Sequence, residues 1–365
     1  MKPTITLSAS LSKRSTHSFI KSALLVVAAM AITAASTRAD PATFTWTNLQ
    51  SDIAGVARHV DPNLINPWGM AVSPNGIIWV SDNGTGVSTL YSQNGTPVPN
   101  AANPLVVAIP PSASNTGGAN PTGIVFNDTP FFKVTKGGNS QPSVFIFVSE
   151  DGMISGWNPQ LDLTHAIVAK DNGGRDAVYK GTTLGLASGH NFLFVTNFHS
   201  GQVETFNENF QRVNPGGFID PNLPADYSPF GIRNFNGQIF VTYAKRNPAN
   251  PDDDLAGPGL GFVDVFDASG NLLRRLVSHG RLNAPWGLAM VQGTLWVGNF
   301  GNGRINAYDP ATGNFLGTLK ATTTGNPLAF DGLWDLLPIG NQIFFTAGIA
   351  DEEHGLFGAI SQVGQ

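Results

Sequence analysis

The sequence predicts an all-β chain folded as a six-bladed β-propeller of four-stranded antiparallel blades, on three observations. Six strand-like segments of one character recur, IWVSD, FIFVSE, LFVTN, IFVTY, LWVGN and IFFTA, closing on Asp82, Glu150, Asn197, Tyr243, Asn299 and Ala347. A second column precedes them: Asn66-Pro67-Trp68-Gly69, Asn120-Pro121-Thr122-Gly123, Thr182-Thr183-Leu184-Gly185, Ser228-Pro229-Phe230-Gly231 and Ala284-Pro285-Trp286-Gly287. Finally, no sustained 3.6-residue apolar period follows residue 40, and Gly (42) and Pro (25) punctuate short runs rich in Val, Ile, Phe and Trp. Repeats of this length with several strands each are the pattern of propeller blades rather than of a solenoid.

Residues 1–39 stand apart. Lys2, Lys13, Arg14 and Lys21 precede an apolar run from Ala23 to Ile32, and small residues lead to Ala39. This reads as a secretory signal peptide cleaved after Ala39, because the run falls short of the roughly 20 residues a membrane span requires. The domain is then 40–365, a secreted or periplasmic protein, expected as a monomer with no membrane span after cleavage. The leader carries five of the 20 basic residues and none of the 25 acidic ones, so the mature chain has 15 against 25, net −10. With no basic run longer than a pair such as Arg274-Arg275, nucleic acid is excluded as a partner. The chain has no cysteine, which removes disulfides, thiol nucleophiles and thiolate metal sites.

Within a blade, the Pro-x-Gly run opens the innermost strand and the WVxD-type run forms the second. The third is represented by stretches such as 88–91, 201–206 and 304–308, and the fourth by 104–109 and 271–276. Blade 3 is aligned on Gly185, and in blade 6 Trp334 is set at the glycine position. The last blade supplies only three strands, ending at 355–360. The spare strand Thr43 to Leu49 alternates with period two and is expected to complete that blade, pairing beside 355–361 and closing the ring.

The segment Asp61 to Ala71 with Trp79-Val80-Ser81-Asp82-Asn83-Gly84-Thr85-Gly86 resembles an uncharacterised family of exported NHL-like propeller proteins, over about Phe44 to Ile360. Some members carry a C-terminal PEP-type sorting tail, and the absence of one in Ser361 to Gln365 points to a released or periplasmic protein. The resemblance implies the propeller and no established reaction. More distantly the blade grammar looks like streptogramin lyase and lactonase-type propellers, which are metal-dependent enzymes, without a one-for-one match to their catalytic residues.

Up-and-down strands bring the entrance of each first strand and the exit of each second to one channel mouth. The entrance column supplies Asn66, Asn120, Thr182, Ser228, Ala284 and Asp331. Of the exit column, Asp82, Glu150, Asn197 and Asn299 offer oxygen ligands to a hard divalent cation such as Ca²⁺, or serve as strand-end turn residues. His199, two residues past Asn197, is the best-placed general base, ahead of His59 and His354; His165, His190 and His279 fall on the other rim. Trp68, Phe198, Tyr243, Trp286 and Phe300, with Phe230, form either a ligand platform or inter-blade packing, with Phe198 and Phe300 expected to be exposed. Asp252-Asp253-Asp254, in the insertion 247–259, reads as a solvated loop, and Asp351 to His354 as a polar connection. No GxSxG, HExxH or phosphate-loop pattern occurs.

Two functions follow. The first is an exported module that binds a small molecule, a glycan or a surface protein through this mouth. The alternative is a divalent-metal-dependent hydrolase or lyase at the same place.

Overall fold

The computed structural model describes residues 43–213 and 217–363; the predicted leader lies outside them. Six antiparallel sheets follow one another along the chain. Blade 1 comprises Pro67–Val72, Ile78–Asp82, Val87–Tyr91 and Val106–Ala108, blade 2 Pro121–Phe126, Phe145–Ser149, Met153–Trp157 and Ile167–Asp171. Blade 3 is Tyr179–Ala187, His190–Asn197, Gln202–Phe206 and Arg212–Val213; blade 4 is Tyr227–Phe235, Gln238–Asn247, Phe262–Asp267 and Leu272–Ser278. Blade 5 runs Pro285–Val291, Thr294–Asn299, Ile305–Tyr308 and Phe315–Thr318. Blade 6 has Leu333–Ile339, Gln342–Ala347 and Leu356–Gln362. Among the described residues no helix is long and apolar enough to cross a membrane.

The first strands contact one another in sequence around a channel, the last meeting the first. The ring closes as expected: Thr43–Ser51 pairs antiparallel with Leu356–Gln362, from Phe44 opposite Gln362 to Ser51 opposite Leu356. The first strand of the chain is thus the outer strand of blade 6, which covers an edge that would otherwise stand open. Apolar side chains from facing sheets fill each gap between blades. Between blades 5 and 6, for example, Trp296, Ile305, Leu333, Leu336 and Phe345 form one cluster, with Phe44 edge-on to Trp296 at 5.2 Å.

The glycine column exists because the innermost strands nearly touch. A Cβ on Gly231 would lie 2.1 Å from the Trp286 carbonyl oxygen, and one on Gly287 2.4 Å from that of Trp334. Gly231→Ala is therefore expected to push blades 4 and 5 apart and cost about 3 kcal/mol, read as a lower urea midpoint for the intact domain.

The same contacts correct two expected alignments. In blade 3 the close approach is made by Gly181, whose Cβ would meet the Phe230 carbonyl oxygen at 3.1 Å, and not by Gly185. Tyr179 pairs with Asn197 as Pro67 pairs with Asp82, so Val178 rather than Thr182 stands at the entrance and Lys180 takes the place of Trp68. The hairpin of blade 3 is longer, with strands of 9 and 8 residues against 6 and 5 in blade 1, which shifts the spacing. In blade 6 Leu333 pairs with Ala347, so Asp335, not Trp334, occupies the glycine position, and Gly332 rather than Asp331 stands at the entrance.

Asp335 makes a different kind of contact there. Its carboxylate accepts the Met70 backbone N–H at 2.8 Å and receives Arg233 from blade 4 across the channel at 2.7 and 2.9 Å. Burial raises this carboxyl, and Arg233 opposes the shift. Above the pair, Trp68, Phe198, Phe230, Trp286 and Trp334 pack into a plug, with Trp68 and Trp334 stacked at 3.4 Å. The channel is accordingly a dead-end mouth with an aromatic floor.

Candidate functional site

The exit residues do not face the mouth. Side chains alternate across a strand, so one position decides the face. Asp82, Ser149, Asn197, Tyr243, Asn299 and Ala347 are the structurally equivalent set, paired with Pro67, Pro121, Tyr179, Pro229, Pro285 and Leu333 of the first strands. Glu150 lies one residue further, equivalent to Asn83, Phe198 and Phe300, whose backbone N–H groups bond the entrance carbonyls of Asn66, Val178 and Ala284 just as that of Glu150 bonds Asn120.

The four residues expected to form a divalent-cation shell are consequently held apart. Asp82 is fully buried in blade 1, its carboxyl raised by burial and then by nearby Asp61, which itself accepts the Tyr91 hydroxyl at 2.8 Å. Asn197 accepts the backbone N–H groups of Val178 and Ser200, each at 3.2 Å, and donates to Glu204 at 3.0 Å. Asn299 accepts from the Asn283 backbone at 3.2 Å and donates to the Arg281 carbonyl at 2.8 Å. Only Glu150 reaches the mouth. Among the described residues, no group of three or more His, Asp or Glu is placed to hold a metal ion. The donor set does not fit the cation that the resemblance to metal-dependent propellers implies.

What the mouth does contain is a lysine. Lys180 is buried, its ammonium 2.5 Å from Glu150 Oε1 and 5.2, 5.7 and 6.0 Å from the ring centres of Trp68, Phe198 and Phe230. These distances suit cation–π attraction. Burial works against its charge, but Glu150, with Asp253 and Asp254 further out, holds the ammonium above its ordinary value. Glu150 is held in turn by the Asn83 amide, which donates to Oε2 at 2.9 Å, and the Asn120 amide donates to the Asn83 carbonyl at 3.4 Å.

Two segments read as solvated connections converge here. The second strand of blade 4 runs past its sheet and pairs with Asn250–Asp254, Arg246 opposite Asp254. Arg246 fixes this hairpin by donating to the carbonyls of Phe198 at 2.8 Å and His199 at 2.6 Å and to the Ser228 hydroxyl at 2.6 Å. His199 stands on the rim, half exposed, with Nδ1 2.7 Å from Asp252 Oδ1. It is tied to the hairpin rather than aimed at Asn197 and its neighbours.

Opposite, Ala350, Asp351 and Glu352 all have left-handed backbone, φ 55, 54 and 66°. Such a run of non-glycine residues is costly and needs external support. Asp331 supplies part of it, accepting the Ala350 N–H at 2.9 Å from outside the mouth, and His354 pairs with Asp52 at 2.6 Å. The turn delivers Glu352 to the mouth, where Oε2 accepts the Asn66 amide at 2.7 Å while Asn66 Oδ1 accepts the Trp334 indole N–H at 2.9 Å. Burial pushes the Glu352 carboxyl up to about 7, against the pull of the Asn66 amide. Asp254 is likewise raised to about 7, first by burial and then by Asp253.

The result is a cavity of about 390 Å³ lined by Trp68, Glu150, Lys180, Asp253, Trp334 and Glu352. Phe198, expected to be exposed, is buried beneath Lys180; Phe300 is half-buried and stacks on Trp334 at 4.1 Å. Trp286 is packed in the plug and donates to the Lys180 carbonyl at 3.2 Å; Tyr243 points away, into the gap between blades 3 and 4. Sequence reading missed Lys180, Asp253, Asp254, Trp334 and Glu352. The signal for Lys180 was a charged residue at a position otherwise held by Trp, Thr or Phe, visible once Gly181 is aligned with Gly69.

One uncharacterized protein of Acanthamoeba polyphaga mimivirus is 32% identical to this chain over 328 residues, 86% of the chain and 78% of that protein. The chain belongs to that protein's family. A second uncharacterized protein of the same virus is 31% identical over 321 residues, covering 84% of this chain and 82% of its own. This mimivirus-related family shares its fold with a solved streptogramin B lyase, at a TM-score of 0.51 and 12% identity over 87% of this chain and 98% of the lyase. No family model matches the chain.

Proposed function

We propose that this propeller is an exported binding protein that captures a small organic cation in its mouth. One observation carries the reading: two separate connections, 250–254 and 350–352, bring three carboxyl groups to an aromatic-floored cavity whose lysine is already neutralised by Glu150. Of these, Asp252 is engaged by His199, so Asp253 and Glu352 are left for a ligand's positive charge, with Asp254 outside the lining but close enough to act on Lys180. Trp68 and Trp334 line the floor beside them, stacked on each other, with Phe300 on Trp334 and the Lys180 ammonium over Trp68. The leader-like residues 1–39 support export.

Choline, whose charge does not change with pH, and its neutral isostere 3,3-dimethylbutanol form the probe pair. Choline is expected to raise the melting temperature and the alcohol not to, and Glu352→Gln to remove most of the choline shift. Equal responses to the two probes would sink the reading.

A second reading is favoured by the left-handed turn that presents Glu352. A buried carboxyl raised to about 7 suits proton transfer near neutrality, as in a hydrolase or lyase acting at the same mouth, with no step through a metal. A panel of lactones and esters tests it. Turnover abolished by Glu352→Gln supports the enzyme, and no turnover by the wild-type protein rejects it.

A further inference from the structure

A second, larger cavity lies in the outer gap between blades 3 and 4. Its volume is about 840 Å³, and its lining includes Thr205, Arg212, Phe218, Leu223 and Tyr243, with Arg175 reaching in from the connection before blade 3. Two buried hydroxyl groups on its wall are unspent. Tyr243, 2% exposed, and Thr205, 3% exposed, have no hydrogen-bond partner for Oη or Oγ1 among the described residues. Buried polar atoms are nearly always paired, by protein, water or ligand. Both residues belong to the lining of this cavity.

The charges of the wall differ in sign from those of the mouth. The carboxylate of Glu204 is occupied, accepting Tyr179 at 2.8 Å and Asn197 at 3.0 Å and pairing with Arg212 at 3.3 Å. Asp220 is occupied by Arg275. Among the described residues Arg246 gives its donors to carbonyls and a hydroxyl and meets no carboxylate, and the exposed guanidinium of Arg175 has no partner. Two arginine charges thus remain uncompensated in a chain whose balance is acidic. Val203, Phe218, Leu223 and Tyr227 supply an apolar flank.

We infer that this cavity is a binding site for a hydroxylated organic acid: a carboxylate directed to Arg175, an apolar body against Phe218 and Leu223, and a hydroxyl meeting Tyr243 and Thr205. The site adjoins the mouth through His199 and Arg246 and does not depend on its function.

Calorimetric titration of the purified protein with 4-hydroxybenzoate, benzoate and 4-hydroxybenzyl alcohol tests each part. The hydroxy acid is expected to bind at least tenfold more tightly than the alcohol and several-fold more tightly than benzoate. Arg175→Ala, at an exposed position, should erase most of the tenfold preference for the acid. Tyr243→Phe should erase the advantage over benzoate, with a thermal melt confirming that the variant is folded. Lys180→Met should leave all three affinities unchanged. Equal binding of acid and alcohol overturns the proposal, as does an Arg175→Ala variant that keeps the preference or a loss that follows Lys180→Met instead.

Discussion

Replacing Glu150 with Gln is expected to lower the unfolding free energy by about 3 kcal/mol, against about 1 kcal/mol for Lys180→Met. The asymmetry follows from burial. The Lys180 side chain is 3% exposed and that of Glu150 28%. Removing the carboxylate strands a buried ammonium, and breaking a buried pair in this way costs about 3–5 kcal/mol. The lower end applies because Asp253 and Asp254 also act on Lys180. Removing the lysine leaves a carboxylate that water reaches, and Met keeps apolar contact with Trp68 and Phe198. Urea unfolding of the two variants measures the difference. A larger loss for Lys180→Met would show that the ammonium holds the aromatic floor together through more than its pair with Glu150.

Stability is expected to be highest near pH 5 and to fall towards pH 8. Asp254 and Asp264 are raised from 3.8 to about 7 and Glu352 from 4.5 to about 7, in each case first by burial. A carboxyl whose folded pKa lies above its unfolded one binds more protons in the native state. Its favourable contribution is complete below the unfolded value and is lost as pH rises through about 7. A carboxyl moved from 3.8 to about 7 ties up to about 4 kcal/mol to its proton, so even partial expression is measurable. The acid limb has the opposite origin. Asp162 is held low first by Lys136; Asp171 and Asp267 are held low by hydrogen bonds that outweigh burial, so their contributions disappear below about pH 4. Urea midpoints at pH 5 and 8 check the sign, and Glu352→Gln and Asp254→Asn should each flatten the slope. A midpoint that rises towards pH 8 would contradict the buried placement of these groups.

The blade count, the glycine column and the closing strand were legible because each rests on backbone geometry repeated around the ring. Gly69, Gly231 and Gly287 answer the same close approach, and Thr43–Ser51 pairs where the spare strand was expected, although its burial does not alternate: Trp46 is exposed and Leu49, Gln50 and Ser51 are all buried past a register shift at 48–50. The site was less legible for two physical reasons. Side-chain direction reverses with every residue of a strand, so reading Glu150 as the equivalent of Asp82 merged an inward column with an outward one. And the functional carboxyls sit on segments outside the repeat: the hairpin 250–254 and the left-handed turn 350–352 have no counterpart in other blades. Asp252-Asp253-Asp254 has the composition of a solvated loop, and only the pairing of Arg246 with Asp254 turns it over the mouth. Lys180 was hidden by the longer hairpin of blade 3, which displaced the alignment by four residues, from Gly181 to Gly185.

The most direct test of the mouth as a cation site is the affinity of choline for the wild-type protein and Glu352→Gln, measured by calorimetry at pH 6 and pH 8. Because Glu352 must lose its proton to serve a cation, the wild-type protein should bind about tenfold more tightly at pH 8, with a proton released on binding. Glu352→Gln should bind more weakly at pH 8 and lose most of the pH dependence. Choline binding that is equal at the two pH values, or unchanged by Glu352→Gln, would contradict the account.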